Sequence, residues 1–240
     1  MNKSTLKSLF AAALCAALAT SCGSSSSKAA LAWKGESRSV SISDTVAIDL
    51  RSVPGPLWFG KTEVTQAQWE TVMGGNPSMY KNPDNPVECV SWKDCQEFLR
   101  KLNALPAVEQ SGLTFRLPTE EEWEYACRAG ATGEYCILAD GTEITKDTLD
   151  RVAWFEDNSD GMTHPVGQMQ PNAFGLYDMH GNVCEWISTV DGKYGGTHFN
   201  CGGSYILTAR LCEASSRNWS SDVERYHHVG IRLCASGRAD

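Results

Sequence analysis

Asn172-Ala173-Phe174-Gly175-Leu176-Tyr177-Asp178-Met179-His180-Gly181-Asn182-Val183-Cys184-Glu185-Trp186 is the stretch on which the fold of this chain turns. Asp178, Asn182 and Glu185 place three oxygen-bearing side chains within eight residues, and Gly175 and Gly181 permit sharp turns between Phe174, Tyr177 and Trp186. A hard cation such as calcium takes carboxylate, amide and carbonyl oxygens at about 2.3–2.6 Å, which a short acidic glycine-containing loop can offer. An Asx-type turn between buried aromatics accounts for the same residues without an ion.

Working outward, three helix starts stand out. Thr65 caps a helix through Trp69 and Met73 that Gly74-Gly75-Asn76-Pro77 stops. Ser91 caps a second, Trp92 to Asn103, along which Cys95, Phe98, Leu99 and Leu102 recur at helical spacing. In Thr119-Glu120-Glu121-Glu122-Trp123 the threonine caps, Glu122 takes the capping-box position, and the early acids suit the positive helix end. Val40–Asp49 alternates as a strand, and Trp58–Glu63 reads as another after the Pro54-Gly55-Pro56 turn. Beyond Arg128 the chain breaks into short apolar runs and loops. Few helices among many short strands imply an α+β fold in a single domain.

The first residues read as a targeting signal rather than as fold. Lys3 and Lys7 precede an apolar run, Leu9 to Ala19, too short to span a membrane. Ala19-Thr20-Ser21 before Cys22, with a serine tract after it, suits a bacterial lipoprotein: residues 1–21 the signal, Cys22 the lipidated residue, 22–32 a flexible tether and 33–240 the domain. Ordinary cleavage near Ser21 is the alternative. This predicts export to the cell envelope, at the periplasmic face or cell surface. Removing 1–21 deletes Lys3 and Lys7 and no acid, taking the charge from −8 to −10. With no basic stripe, nucleic acid is not expected as a partner.

Eight cysteines follow Cys22: Cys89, Cys95, Cys127, Cys136, Cys184, Cys201, Cys212 and Cys234. None forms a Cys-x-x-Cys pair, which disfavours a zinc ribbon, and in an exported chain most are expected in structural disulfides of unreadable connectivity.

Asn172–Trp186 resembles the signature of the formylglycine-generating-enzyme (sulfatase-modifying factor) family. Lys61–Trp69, Asn85–Trp92, Phe115–Arg128, His164–Gly167, Gly202–Tyr205 and Gly230–Leu233 resemble further family segments in the expected order, over roughly 55–235. The resemblance implies a C-type-lectin-like domain with little regular secondary structure. It also implies a structural calcium ion held by the Asp178 and Glu185 side chains with the Gly181 and Val183 carbonyls.

Family enzymes oxidise a sulfatase cysteine to formylglycine with molecular oxygen, using two cysteines five residues apart that bind copper(I). Soft thiolates suit that ion. Here the frame Gly202-Gly203-Ser204-Tyr205 persists and the second position is Cys212, but Leu207 stands at the first and Thr208 replaces the histidine after it. Cys201 lies across the Gly-Gly turn and is expected to be a disulfide partner rather than a substitute ligand. The expectation is therefore a non-catalytic module binding a peptide or protein at the envelope, with Tyr205, Arg210 and Arg217 as partner-binding candidates. Cys212 and Ser204 are the catalytic candidates if the oxidase reading, with a sulfatase as partner, holds instead. For Arg217 a surface ion pair is the competing role, and His227-His228 is read as solvated.

Overall fold

In the computed structural model, which describes residues 33–190 and 196–237, the three capped helices form as expected. They are α1 (Gln66–Met73), α2 (Trp92–Asn103) and α4 (Glu120–Arg128), with a short α3 (Pro106–Ser111) between the last two. Thr65, Ser91 and Thr119 each close a capping box, and Gly74 ends α1 in the left-handed conformation. The α2 stripe Cys95, Phe98, Leu99 and Leu102 is buried. The signal segment, Cys22 and the tether lie outside the described residues.

The strands divide into two sheets. The first comprises β1 (Ser37–Ser41), β2 (Ala47–Val53), β3 (Leu57–Gly60), β4 (Leu113–Arg116) and β9 (Cys234–Gly237), in the order β1-β2-β3-β9-β4 with antiparallel neighbours. The final strand thus slots between two earlier ones and closes the chain on itself. The second holds β5 (Cys184–Val190), β6 (Thr197–Cys201), β7 (Arg217–Ser221) and β8 (Val229–Gly230), ordered β7-β6-β5-β8, with β8 parallel to β5.

The strand expected over Val40–Asp49 is instead the hairpin β1–β2. The Ile42 and Ser43 amides donate to Val46 O at 2.9 and 3.1 Å, and Ser43 Oγ accepts from Val46 N, so a serine turn interrupts the alternation. Val40, Ile48 and Leu50 still face one core with the α1 and α2 stripes, Trp69 stacking on Phe98 at 4.8 Å. A second apolar cluster gathers Phe59, Trp123, Phe174, Ile187 and Cys201; a third gathers Tyr135, Leu149, Phe155 and Cys212. The signature loop runs between the sheets, where irregular backbone needs buried side-chain partners.

Candidate functional site

Two polar assemblies are built on this frame. The first centres on the signature loop. Glu185, the second residue of β5, is fully buried; its Oε1 accepts from Arg232 Nε at 2.9 Å and its Oε2 from Trp123 Nε1 at 2.5 Å. Arg232, also fully buried, donates further to Gly60 O (3.0 Å) and Tyr177 O (2.7 Å). Glu63 joins them from the loop after β3, accepting from Val183 N and Asn182 Nδ2, both at 2.9 Å. Asp178, in a left-handed turn at φ 55°, accepts from Gly167 N at 2.7 Å through Oδ2, while its Oδ1 is buried with no partner.

Three buried carboxylates therefore face one guanidinium. Burial, then the Asp178 and Glu185 charges, push the Glu63 carboxyl well up; burial lifts Asp178 to about 6. Arg232 is held protonated by these acids against the pull of burial. In the expected calcium set, Asp178, Gly181, Val183 and Glu185, only Asp178 keeps an unpartnered side-chain oxygen, because both Glu185 oxygens are taken by Arg232 and Trp123. Among the described residues no group of three or more His, Cys, Asp and Glu side chains is placed to hold a metal ion. Such an ion would share Glu185 with Arg232. Sequence reading passed over Glu63 and Arg232, although both sit in segments that carried the resemblance.

The second assembly is the Gly202–Cys212 segment. Gly202 and Gly203 turn at φ 96° and 74°, and a Cβ on Gly203 would stand 2.3 Å from Cys212 Sγ, so only glycine fits. Leu207 is half-buried against the first core cluster. Cys212 ends a short 3-10 turn, Ala209–Cys212, that Thr208 O helps close by accepting from Leu211 N at 2.8 Å. The Cys212 thiol is fully buried, and burial pushes it up to about 12. Its carbonyl holds His180 Nδ1 at 2.7 Å, and Cys136 N donates to the other ring nitrogen at 3.1 Å. Burial lowers His180 to about 4, so the ring is neutral and acts as a brace.

Copper(I) does not fit these residues: the Cys212 thiol is buried and held protonated, and Leu207, at the position of the other ligand, carries no donor. Cys201 offers no ready thiolate in replacement, because it too is buried and burial pushes its thiol up. The disulfide expectation is corrected here: all eight cysteines among the described residues are free, seven of them buried.

Other candidates also move. Tyr205, expected to face a partner, is buried: its hydroxyl meets His227 Nδ1, its ring lies edge-on to Tyr80 at 5.6 Å, and Ser159 Oγ donates to its carbonyl at 2.7 Å. His227, expected in solvent, is tied to it. Ser204 is fully buried beside the Cys184 thiol, with no regular hydrogen bond to its hydroxyl. Arg217, on β7, pairs with Glu120, the ion-pair role that competed for it. Arg210 remains exposed, beside the exposed apolar residues Ile206 and Leu211.

The comparisons with known proteins agree with this frame. The family model for the sulfatase-modifying factor enzyme 1-like domain matches residues 23–236. A chaperone protein, LppX of Paenibacillus barcinonensis, is 32% identical over 207 residues, covering 66% of this chain and 72% of that protein. A formylglycine-generating enzyme of Streptomyces coelicolor is 32% identical over 214 residues, covering 78% of this chain, which spans only 63% of that enzyme. Among solved structures, Treponema denticola variable protein 1 is 25% identical with a TM-score of 0.69, covering 85% of this chain and 99% of that one. The architecture is the C-type-lectin-like one of formylglycine-generating-enzyme relatives.

Proposed function

We propose that this chain, which belongs to the sulfatase-modifying factor (formylglycine-generating-enzyme-like) family, acts as a non-catalytic module that binds a peptide or protein partner at the cell envelope. One observation carries the reading: where the family chemistry needs two thiolates, Leu207 faces the core and Cys212 is a single buried thiol pushed up to about 12. Copper(I) binds thiolates, and a thiol held protonated in an apolar enclosure is inert. That a relative bears the name chaperone protein supports a binding role on this frame. The exposed Ile206, Arg210 and Leu211 around the former catalytic segment form the partner-facing surface. Attachment through a lipidated Cys22 belongs to the same proposal; among the described residues no helix is long and apolar enough to cross a membrane.

The family match over most of the chain favours formylglycine generation as the second reading. The deciding experiment incubates the protein with copper, oxygen and a Cys-x-Pro-x-Arg peptide. No aldehyde should form. Aldehyde that disappears in Cys212→Ala would establish the oxidase instead.

A further inference from the structure

An open cavity of about 510 Å³ lies against the first sheet, away from the Gly202–Cys212 segment, and its walls include Arg51, Lys61, Tyr177, Ser37 and Asp49. Arg51, on β2, lies across from Ser37 on β1. Among the described residues its guanidinium donates only to neutral groups, Ser37 Oγ and, at 3.4 Å, Phe174 O. A Cβ on Gly175 would stand 2.8 Å from Arg51 Nε, so this left-handed glycine lets the guanidinium close on the signature loop. Lys61 is fixed from both sides by its backbone, its amide donating to Asp49 O and its carbonyl accepting from Tyr177 N, each at 2.9 Å. Its ammonium stands 5.3 Å from the centre of the Tyr177 ring.

Neither cation has an ion-pair partner among the described residues. In a chain of net charge −8 this is a notable concentration of unsatisfied positive charge. Arg38, at the margin, is likewise unpaired and turns toward Ser111 O and the Trp58 ring. The opposing charge at the cavity is Asp49, exposed and without an ion-pair partner among the described residues.

We propose that this cavity binds an oxyanion group, phosphate or sulfate, with Arg51 as a planar donor fork, Lys61 as a point charge and the Ser37 hydroxyl completing the set. Arginine forks match tetrahedral oxyanions, and charge-assisted bonds are about twice as strong as neutral ones. Arg51 is already oriented by its bonds to Ser37 Oγ and Phe174 O, and the Lys61 ammonium lies over the Tyr177 ring, which lowers the ordering that opposes binding. The group has two possible sources, a soluble phosphorylated or sulfated compound or the headgroup of an anionic lipid.

Titration calorimetry of the full chain with inorganic phosphate, at ionic strength matched with chloride, tests the site. Binding should appear in the millimolar range and weaken about tenfold or more in Arg51→Gln/Lys61→Gln, from loss of charge-assisted bonds. Lys61→Gln alone removes no structural hydrogen bond and should weaken binding with at most a small loss of thermal stability, from the Tyr177 ring contact. Asp49→Asn should tighten binding, an effect a merely structural role would not produce. Vesicles of phosphatidylglycerol, against phosphatidylcholine, separate the sources: lipid binding lost in Lys61→Gln assigns a headgroup, and phosphate binding without vesicle binding assigns a soluble compound. Phosphate binding that is absent, or equal in the wild type and both variants, overturns the proposal.

Discussion

Gly203 and Cys212 are locked face to face: a Cβ at 203 would stand 2.3 Å from the Cys212 sulfur and 2.7 Å from its Cα. The glycine also sits at φ 74°, where an L side chain is strained. Gly203→Ala should therefore cost on the order of 3 kcal/mol in denaturant unfolding, from overpacking and backbone strain together. Adding Cys212→Ala should recover part of that loss and not all, since the backbone contact stays. A Gly203→Ala protein as stable as the wild type would mean that the segment is not packed in this way.

Free thiols give a second outcome. Of the eight cysteines from Cys89 to Cys234, all free and only Cys89 half-exposed, a thiol reagent at neutral pH should label Cys89 alone, and slowly, in the native protein. Burial and the neighbouring Glu88 push that thiol up to about 12, which slows even this reaction. Denaturation without reductant should expose all eight. Fewer than eight by this titration would restore the disulfides that an exported chain leads one to expect.

Helix starts were legible because they are local: Thr65, Ser91 and Thr119 each find their capping partner three residues away, within reach of any reading of the chain. The buried ion cluster was half legible. Asp178 and Glu185 lie in the signature, but Glu63 reaches Val183 across 120 positions and Arg232 reaches Glu185 across 47. No spacing rule joins residues so far apart. Tyr205 was misread for a related reason, since the groups that bury it, Tyr80, Ser159 and His227, come from distant loops. The cysteine expectation rested on compartment chemistry, whereas pairing depends on geometry that packing alone sets.

Acid should weaken the protein partly through α4. Burial alone would raise the Glu122 carboxyl, yet the Arg116 ion pair at 2.6 Å and the bonds to the Thr119 cap hold it below its ordinary 4.5. A carboxyl lowered on folding contributes stability above its unfolded value and loses it as pH falls through the folded one. Wild-type stability should therefore drop below about pH 4.5. Glu122→Gln should be less stable at pH 7 and show a shallower decline between pH 5 and 3. Parallel curves for the two proteins would remove Glu122 from the account.

Arg232 and Asp178 make opposite predictions about the buried cluster. Arg232→Met leaves Glu63, Asp178 and Glu185 facing one another without their cation, and removing one member of a buried ion pair costs about 3–5 kcal/mol. A variant that fails to fold would be consistent with this, so the informative measurement lies at Asp178. If a calcium ion is drawn to the orphaned Oδ1, millimolar calcium should raise the melting temperature of the wild type, because a ligand that binds only the folded state stabilises it. Asp178→Asn removes the charge but keeps an oxygen and should retain part of the rise, whereas Asp178→Ala should abolish it. Magnesium, smaller and reluctant to shed water, should be a poor substitute. A melting temperature indifferent to calcium and to chelator would leave Arg232 as the cluster's sole counter-charge, and Asp178→Asn should then stabilise the protein by relieving repulsion among the acids.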